Sequence, residues 1–386
     1  MAKITRIRVP LRGRSYTIEI GGDSLDSAGE QVRRLGNFSH GVIVTDENVE
    51  PLYAERLARS LSGAGLAIDL FVIPAGEESK SLDMARVLWE GLLSSGADRS
   101  TLVIALGGGV VGDLAGFVAA TFARGIPYFQ VPTTLLAMVD SSVGGKTGID
   151  LAGGKNMVGA FHQPIGVLID PTTLTTLPER EYRAGFGEVV KYAVSLDAGL
   201  FEFLEQKSAE IDRRQEGVLT QIIARCCRIK AGIVRADERE TTGLRALLNY
   251  GHTFAHAYET AGEFALFRHG EAVALGMLDA LRLARRLGKK GRTEFLAVDT
   301  PLLRRQEKLF RAISLPTALD AFDLPTKGKS AANWERDSLF ALMLHDKKTL
   351  HQTPRFVLPT GLGRCNLFAD IPADAVRQTL KERLGK

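Results

Sequence analysis

The residues of this sequence best suited to chemistry gather around three histidines, at positions 252, 256 and 269. His252 and His256 are four residues apart in NYGHTFAHAYE, so on a helix they lie on one face, and spacing alone nominates both as metal ligands. Glu188 lies in the apolar segment AGFGEVVKYAV, where an unpaired carboxylate is costly. A single histidine in an apolar helix is usually a core residue, but three of them together with a carboxylate favour a metal site.

Positive charges accompany these residues in otherwise apolar surroundings. Lys191 follows Glu188 by one helical turn, and Lys230 lies in RIKAGIV. Arg245 and Asn249 are four residues apart in LRALLNYGH, and we predict that they share one face of a helix that continues toward the histidines. Cations beside a metal suit a substrate that carries both a carboxylate and a phosphate. The alternative for each cation is a salt bridge on a helix surface.

Glycines gather in GGGVVGD, residues 107–113, directly after the strand-like run TLVIAL. The spacing matches G-x-G-x-x-G, in which backbone N–H groups approach a pyrophosphate at a helix N-terminus. The run follows the third predicted strand and has no acidic residue about 20 positions later, so a standard Rossmann domain is disfavoured and a tight turn is the alternative. Asp46, with Asn48 beside it, ends an earlier strand and is a candidate for a ribose contact or for a helix N-cap.

A second glycine-rich segment, GGKT at residues 144–147, is similar to the end of a phosphate-binding P-loop. The first glycine of that motif would have to be residue 140, which is Asp140, so nucleoside triphosphate hydrolysis is disfavoured. Lys146, with Lys155 and Asn156 in the next glycine-rich turn, is suited to hold an oxyanion. Solvated surface lysines are the alternative.

The elements that must position these residues change character along the chain. β-Branched runs at residues 41–46, 70–74, 101–106, 128–132 and 167–170 alternate with segments of helical length, which predicts a parallel sheet with crossover helices. From residue 179 to about residue 287 the apolar periodicity is helical, and a strand-like run at 355–358 precedes a closing helix. We therefore predict an α/β domain over residues 1–176 and a mostly α-helical domain over residues 177–386.

The composition of the 386 residues is that of an ordinary globular protein, with 45% apolar and 24% charged residues. The net charge of +4 is too small to indicate nucleic acid or a membrane surface as a partner. Cys226, Cys227 and Cys365 cannot form a disulfide framework, and the N-terminus lacks the apolar region of a signal peptide. We expect a cytoplasmic protein without a membrane-spanning segment.

Seven segments carry a likeness to one known family: GGGVVGDLAGFVAATFARG, VPTTLLAMVDSSVGGKTGID, GKNMVGAFHQP, LPERE, GEVVKYA, LNYGHTFAHA and HGEAVALGM. As a set, in this order, they resemble the 3-dehydroquinate synthases of the shikimate pathway, which are sugar-phosphate cyclases. The likeness runs over about residues 40–350. It implies an N-terminal α/β domain with a Rossmann-like, NAD-binding parallel sheet and a C-terminal, mostly helical domain that binds metal and substrate.

The resemblance implies a role for each matching residue. The ligands of Zn²⁺ or Co²⁺ would be Glu188, His252 and His269. His256 would be a nearby residue that is not a ligand, so the resemblance replaces the pair His252 and His256 that the spacing suggests. NAD contacts are implied for Asp46, Asn48, Glu77, Lys80, Gly108, Gly109, Asp113, Thr133, Thr134, Lys155, Thr176 and Glu181. Substrate contacts are implied for Asp140, Lys146, Asn156, Lys191, Lys230, Arg245, Asn249 and His256.

The resemblance also implies a second subunit. In the family, an arginine that matches Arg124 reaches the substrate phosphate from the other subunit of a homodimer. A lysine of the DKK run, Lys347 or Lys348, is a further implied phosphate ligand. The segment DERETTGLR has one residue more than the family pattern between Glu240 and Arg245, which affects where Glu240 lies relative to Arg245.

The activity implied by the resemblance is conversion of 3-deoxy-D-arabino-heptulosonate 7-phosphate into 3-dehydroquinate and phosphate. NAD would oxidise the substrate transiently and be regenerated, the metal would acidify a substrate hydroxyl, and the phosphate of the substrate would serve as the base. Two other enzymatic interpretations are a sister sugar-phosphate cyclase whose substrate has no carboxylate and a metal-dependent polyol or alcohol dehydrogenase. A non-catalytic NAD-binding protein is a third alternative.

Overall fold

The computed structural model describes residues 4–151, 154–325, 327–344 and 354–385. The strands in these ranges are β1 (Thr5–Val9), β2 (Tyr16–Ile20), β3 (His40–Asp46), β4 (Ala67–Ile73), β5 (Leu102–Gly107), β6 (Tyr128–Pro132), β7 (Lys146–Leu151), β8 (Gly154–Phe161), β9 (Gly166–Ile169), β10 (Phe356–Gly361) and β11 (Arg364–Phe368). The five strands predicted in the first part of the chain are all present, as β3, β4, β5, β6 and β9. The predicted run near the C-terminus is β10.

Helices occupy much of the rest of the described chain. The α-helices are α1 (Ala28–Leu35), α2 (Glu55–Gly63), α3 (Leu82–Ser94), α4 (Gly109–Thr121), α5 (Glu179–Leu196), α6 (Ala198–Gln206), α7 (Ser208–Asp212), α8 (Glu216–Ala236), α9 (His252–Ala261), α10 (His269–Lys289), α11 (Thr300–Ala312), α12 (Gly328–Ala332), α13 (Arg336–Leu344) and α14 (Ala373–Arg383). The α/β first part and the helical second part that the sequence predicts are confirmed. No helix in the described ranges has the length and apolar composition needed to cross a bilayer.

The chain forms two compact units, one of Met1–Pro178 with Glu216–Arg239 and one of Glu179–Gln215 with Glu240–Lys386. The predicted division after residue 176 differs from these units in one segment, because α8 belongs to the first unit. On α8, the Cys227 thiol donates to the Met138 carbonyl at 3.3 Å, and the Lys230 ammonium donates to the Asp140 carbonyl at 2.7 Å. An amphipathic pattern indicates a helix but does not indicate which sheet or bundle it covers, so the sequence could not place α8.

A seven-stranded sheet in the order β1-β2-β9-β6-β5-β3-β4 organises the first unit. All neighbouring pairs are parallel except β1 and β2. Counted from β3, the parallel strands β3, β4, β5, β6 and β9 have the spatial order 2-1-3-4-5. The strand order therefore reverses between β3 and β5, and in such sheets ligands bind outside the carboxyl ends of the strands at that point. The glycine-rich turn after the third strand lies at this position.

Apolar side chains are buried on both faces of the sheet, which explains why the sequences of these strands are continuous hydrophobic runs. On one face, Val42 and Val44 of β3 belong to a buried cluster with residues of α3 and α4. On the other face, Ile43 belongs to a cluster with residues of α1 and α2. The alternation places successive side chains of one strand in two separate cores, so the register of the strand is fixed. The sheet thus holds its carboxyl-end loops on a rigid base.

The second unit is a helical assembly with a small hairpin, β10–β11. Its helix α10 is buried over most of its 21 residues, as expected for a central helix. The predicted helix from Arg245 to the histidines is interrupted: residues Leu244–Asn249 form a 3₁₀ helix, and Gly251 has φ 83° before α9 begins. At three residues per turn, positions i and i+4 are about 120° apart, so Arg245 and Asn249 do not share a face.

Candidate active site

Three side chains that can ligate a metal converge inside the second unit. Glu188 is on α5, His252 is the first residue of α9, and His269 is the first residue of α10. One ligand atom from each lies within 4.8 Å of the others. The Nε2 atoms of His252 and His269 lie 3.6 Å and 3.5 Å from Oε1 of Glu188. Glu188 and His252 are buried, whereas the His269 side chain is 38% exposed, so His269 is the most accessible of the three donors.

Glycines permit the close helix approach that brings these residues together. A Cβ at Gly270 would lie 1.7 Å from the Ala184 carbonyl oxygen, and a Cβ at Gly187 would lie 2.3 Å from the Gly270 oxygen. Helices α5 and α10 therefore touch backbone to backbone beside Glu188 and His269. The same arrangement joins α9 to α10, where a Cβ at Gly276 would lie 2.2 Å from the Gly251 oxygen.

Hydrogen bonds to the other ring nitrogens orient both imidazoles. Nδ1 of His252 lies 3.2 Å from the carbonyl oxygen of Tyr250, and Nδ1 of His269 lies 3.1 Å from Oε1 of Glu259. Both partners are acceptors, so Nδ1 donates in each case, and a ring that becomes neutral to bind a metal has its lone pair on Nε2. Two imidazole lone pairs and a carboxylate oxygen that face one another fit a divalent ion such as Zn²⁺ or Co²⁺.

Charge in this group is balanced by one buried lysine. Lys191 forms an ion pair with Oε2 of Glu188, which leaves Oε1 directed toward the imidazoles. Burial lowers the pKa of His269, but the carboxylates of Glu259 and Glu188 outweigh burial and raise it to about 10. The same two carboxylates would also favour a divalent cation at this position, because their negative charge stabilises a metal ion as it stabilises the protonated ring.

His256 does not belong to the converging group, although it is one turn after His252. The two rings are edge to face with centroids 5.6 Å apart. Residues at i and i+4 do share a helix face, but His252 Nε2 is directed toward Glu188 and His269. The group that the structure assembles is therefore the one that the family resemblance implies, not the pair that spacing nominates.

The other polar residues proposed for the second unit lie close to this group in sequence. Arg245 is buried, and its Nε lies 3.5 Å from Oε1 of Glu240, a long contact for an ion pair. Asn249 ends the 3₁₀ helix three residues before His252. Glu181 on α5 holds Arg268 through a contact of 2.6 Å to Nε. This last ion pair fixes the residue that precedes His269.

In the first unit, the candidate cofactor residues line the carboxyl ends of β3, β5 and β6. Oδ1 of Asp46 accepts hydrogen bonds from the backbone N–H groups of Asn48 and Val49, so this oxygen caps the following turn. Gly108 and Gly109 open α4, and a Cβ at Gly108 would lie 3.1 Å from Thr134 Cγ2. The buried Thr133 hydroxyl has no hydrogen-bond partner in the described chain, as expected of a group that faces a ligand.

A cluster of charges lies beside the same turn. The buried Lys80 ammonium donates to Asp113 Oδ2 at 2.8 Å, and Glu77 Oε1 lies 3.7 Å from both Lys80 Nζ and Lys155 Nζ. Burial lowers the pKa of Lys80, but Asp113 and Glu77 outweigh it and the pKa is raised. Lys80 therefore stays charged and holds the carboxylates in place. Thr176, also proposed for NAD, lies 2.6 Å from the Tyr53 hydroxyl.

The loop before Lys146 is held from three sides, although Lys146 itself is exposed at the start of β7. The Gly144 N–H donates to the Tyr16 hydroxyl at 3.2 Å, and Gln163 Nε2 donates to the Gly144 carbonyl at 3.3 Å. The His162 N–H donates to the Gly145 carbonyl at 2.8 Å. Tyr16 is in no motif, and Gln163 is in the segment GKNMVGAFHQP but had no role assigned from the sequence.

Four further proposed residues, Lys230, Asp140, Asn156 and Arg124, are in the first unit. Lys230 is buried and contacts Asp140, with Nζ 2.9 Å from Oδ1. Asn156 has a left-handed φ of 55°, and its N–H donates to Asp150 Oδ1 at 2.6 Å. Arg124 is exposed in a left-handed turn with φ 69°. Lys347 and Lys348 lie outside the described residues.

Comparison with known proteins gives one consistent result. Residues 70–184 match the family model described as 3-dehydroquinate synthase N-terminal, and residues 185–349 match that described as 3-dehydroquinate synthase C-terminal. The chain is 45% identical to the 3-dehydroquinate synthase of Desulforamulus reducens, over 95% of this chain and 96% of that protein.

Two solved structures share the fold over nearly the whole chain. A 2-epi-5-epi-valiolone synthase from Streptomyces hygroscopicus, with NAD⁺ and Zn²⁺ bound, is 28% identical with a TM-score of 0.83, and covers 97% of this chain and 98% of its own. A 2-deoxy-scyllo-inosose synthase, with carbaglucose-6-phosphate, NAD⁺ and Co²⁺ bound, is 27% identical with a TM-score of 0.82, and covers 99% of this chain and 100% of its own.

Proposed function

This chain belongs to the 3-dehydroquinate synthase family, and we propose that it converts 3-deoxy-D-arabino-heptulosonate 7-phosphate into 3-dehydroquinate and phosphate. The reaction is a carbon–oxygen lyase reaction, in which oxidation at C5, phosphate elimination and re-reduction precede ring opening and an intramolecular aldol closure. The observation that carries the proposal is the convergence of Glu188, His252 and His269 in a chain of this family. A carboxylate and two oriented imidazoles are the donors of a catalytic zinc or cobalt site.

NAD⁺ and a divalent metal ion would supply what no side chain of this chain has, a reversible two-electron oxidant and a strong Lewis acid. Glu188, His252 and His269 would hold the metal. The turn at Gly108 and Gly109, with α4 behind it, would bind the pyrophosphate of NAD, since helix N-termini favour anions. Support for this placement is the reversal of strand order between β3 and β5.

The cations of the chain would recognise the two anionic groups of the substrate. We assign Arg245 to the carboxylate, because a guanidinium can donate to both oxygens and this one is buried. Lys230 would add a second charge, and Asn249 would bind a neighbouring hydroxyl. Lys146 and Asn156, with Lys347 or Lys348, would hold the phosphate. These residues orient the substrate and stabilise charge as phosphate leaves, and the departing phosphate can itself accept the proton.

We infer a homodimer in which Arg124 of the partner subunit contributes to the phosphate site. Support comes from the turn that presents Arg124. Ala123, Arg124 and Gly125 have φ values of 48°, 69° and 112°, an unusual run of left-handed residues in which two are not glycine. Such conformations cost about 1 kcal/mol or more each and persist where function requires them.

The experiment that tests the proposed function is product identification with two substrates. The purified protein with NAD⁺ and Zn²⁺ should form 3-dehydroquinate from the heptulosonate phosphate and should leave glucose 6-phosphate, which has no carboxylate, essentially unchanged. A carbocycle formed from glucose 6-phosphate, and none from the heptulosonate phosphate, would instead identify a sister cyclase. Protein without added metal, after chelation, is the matched control and should be inactive.

A further inference from the structure

The His269 ring has a carboxylate at each of its two nitrogens. Nε2 lies 3.5 Å from Glu188 Oε1, and Nδ1 lies 3.1 Å from Glu259 Oε1. We propose that Glu259 is a positioning residue, whose carboxylate holds the His269 ring in the orientation that a metal ion at Glu188, His252 and His269 requires. The proposal deepens the proposed function, since it rests on a metal being bound there.

The chemistry of the contact assigns the proton. A carboxylate only accepts, so Nδ1 donates to Glu259, and a ring that loses its other proton to bind a metal then presents its lone pair at Nε2. Without this acceptor, the alternative tautomer and a rotated ring both become accessible. His252 is oriented differently, by the Tyr250 backbone carbonyl, which no substitution removes. Glu259 is therefore the orienting contact that mutation can test.

The helix that carries Glu259 is anchored to its surroundings. Glu259 is seven residues after His252 on α9, two helical turns, so both side chains lie on one face. The neighbouring Tyr258 hydroxyl donates to Asp279 Oδ2 on α10 at 2.7 Å, and Arg383 Nε donates to the same carboxylate at 2.9 Å. Glu259 is buried, with its side chain 11% exposed. A buried carboxylate on an anchored helix can hold the ring in one orientation, which a mobile surface residue cannot.

The test measures metal affinity in the full chain without substrate or NAD. Zn²⁺ affinity is determined by competition with a chelator, and the visible spectrum of the Co²⁺-loaded protein reports the ligand geometry. Glu259→Ala should weaken Zn²⁺ binding about 10- to 100-fold and change the Co²⁺ spectrum. Glu259→Gln should lose about threefold to tenfold, because its amide oxygen still accepts from Nδ1 but carries no charge. Thr260→Ala, at an exposed position on the same helix, is the control and should match the unmodified protein.

The proposal is overturned if Glu259→Ala binds Zn²⁺ within twofold of the unmodified protein with the same Co²⁺ spectrum. Thermal melting of the metal-free proteins shows whether each variant folds. If the alanine variant does not fold, the glutamine variant, which has nearly the same volume, decides: unchanged affinity overturns the proposal. An unmodified protein that binds metal but forms no 3-dehydroquinate would refute the proposed function alone, whereas one that binds no metal would refute both.

Discussion

Glu188 is the residue on which the proposed metal chemistry depends, because its two oxygens have different partners. Oε2 forms an ion pair with Lys191, and Oε1 faces His252 Nε2 and His269 Nε2. The ammonium offsets one negative charge and fixes the rotation of the carboxylate. Loss of any one donor would leave the others in place but would remove a large share of the affinity for a metal ion.

We expect His269→Ala and Glu188→Ala each to lose bound metal and turnover while the fold is largely retained. The expected loss of Zn²⁺ affinity exceeds about 100-fold, more than for a residue that only orients a ligand. Elemental analysis of the purified variants, together with activity and melting temperature, checks this. His256→Ala is the matched control, since it should keep one metal per chain. Stoichiometric zinc and normal activity in His269→Ala would refute the ligand assignment.

Arg245→Ala should lose about 2–4 kcal/mol of transition-state binding, measured as kcat/KM, as expected when a buried charge contact to substrate is broken. NAD affinity should be nearly unchanged, because the candidate NAD residues other than Glu181 are in the first unit. Glu240→Ala is the control for the alternative that Arg245 has only a structural role, through its 3.5 Å contact with Glu240. An Arg245→Ala variant with normal kcat/KM and a lowered melting temperature would establish that alternative.

At the residue level, sequence alone could predict a metal site and its candidate residues, but not which of those residues are the ligands. Histidine spacing nominated His252 with His256, because periodicity reports a shared face and not the direction of a ring nitrogen. The sequence already grouped Glu188 and His269 with the other two histidines, but only the fold or the family resemblance could separate the ligands from His256. Glu259 was missed, although its spacing of seven from His252 places both on one face and was a usable signal.

At the scale of helices, contacts between glycines set the geometry of the site. We expect Gly270→Ala to destabilise the chain by about 1–3 kcal/mol and to lower metal affinity, since its Cβ would lie 1.7 Å from the Ala184 oxygen and force α5 and α10 apart. Denaturant unfolding and chelator competition measure the two effects. Gly232→Ala on α8 is the matched control, because an added Cβ there would lie in open space. We expect its free energy of unfolding to be unchanged or to rise by up to about 1 kcal/mol. Equal behaviour of the two variants would contradict the role given to Gly270.

The strands and most helices could be predicted because their signals are local. The parallel strands are continuous apolar runs, and α3 has Ser81 as its N-cap, with the side chain accepting from the Met84 N–H at 3.2 Å. The features that were not predicted depend on tertiary packing. Gly251 breaks the expected helix because α10 approaches it closely, and the hairpin β7–β8 has glycines in place of a β-branched run. The strand order, which places the glycine turn after β5 at the point where the order reverses, is a property of the whole sheet.

At the scale of the whole molecule, the proposed homodimer makes a distinct prediction. His269→Ala and Arg124→Ala should each be nearly inactive alone, but mixed subunits should recover activity, because one site of each heterodimer would have both His269 and Arg124 intact. With random exchange we expect recovery of about one quarter of normal activity per total subunit, if sites act independently. Subunit exchange is verified by mass-tagged chains. Proven exchange without recovered activity would contradict the shared site.

The central claim, that NAD acts as a regenerated oxidant in a phosphate-eliminating cyclisation, is tested most directly by counting phosphate and NADH in one reaction. The unmodified protein receives heptulosonate phosphate in large excess over NAD⁺, and phosphate, NADH and 3-dehydroquinate are measured together. We predict many phosphates and an equal number of 3-dehydroquinate molecules for each NAD⁺, with no net accumulation of NADH. NADH that accumulates in proportion to substrate consumed, with no phosphate released, would contradict the account and identify a dehydrogenase.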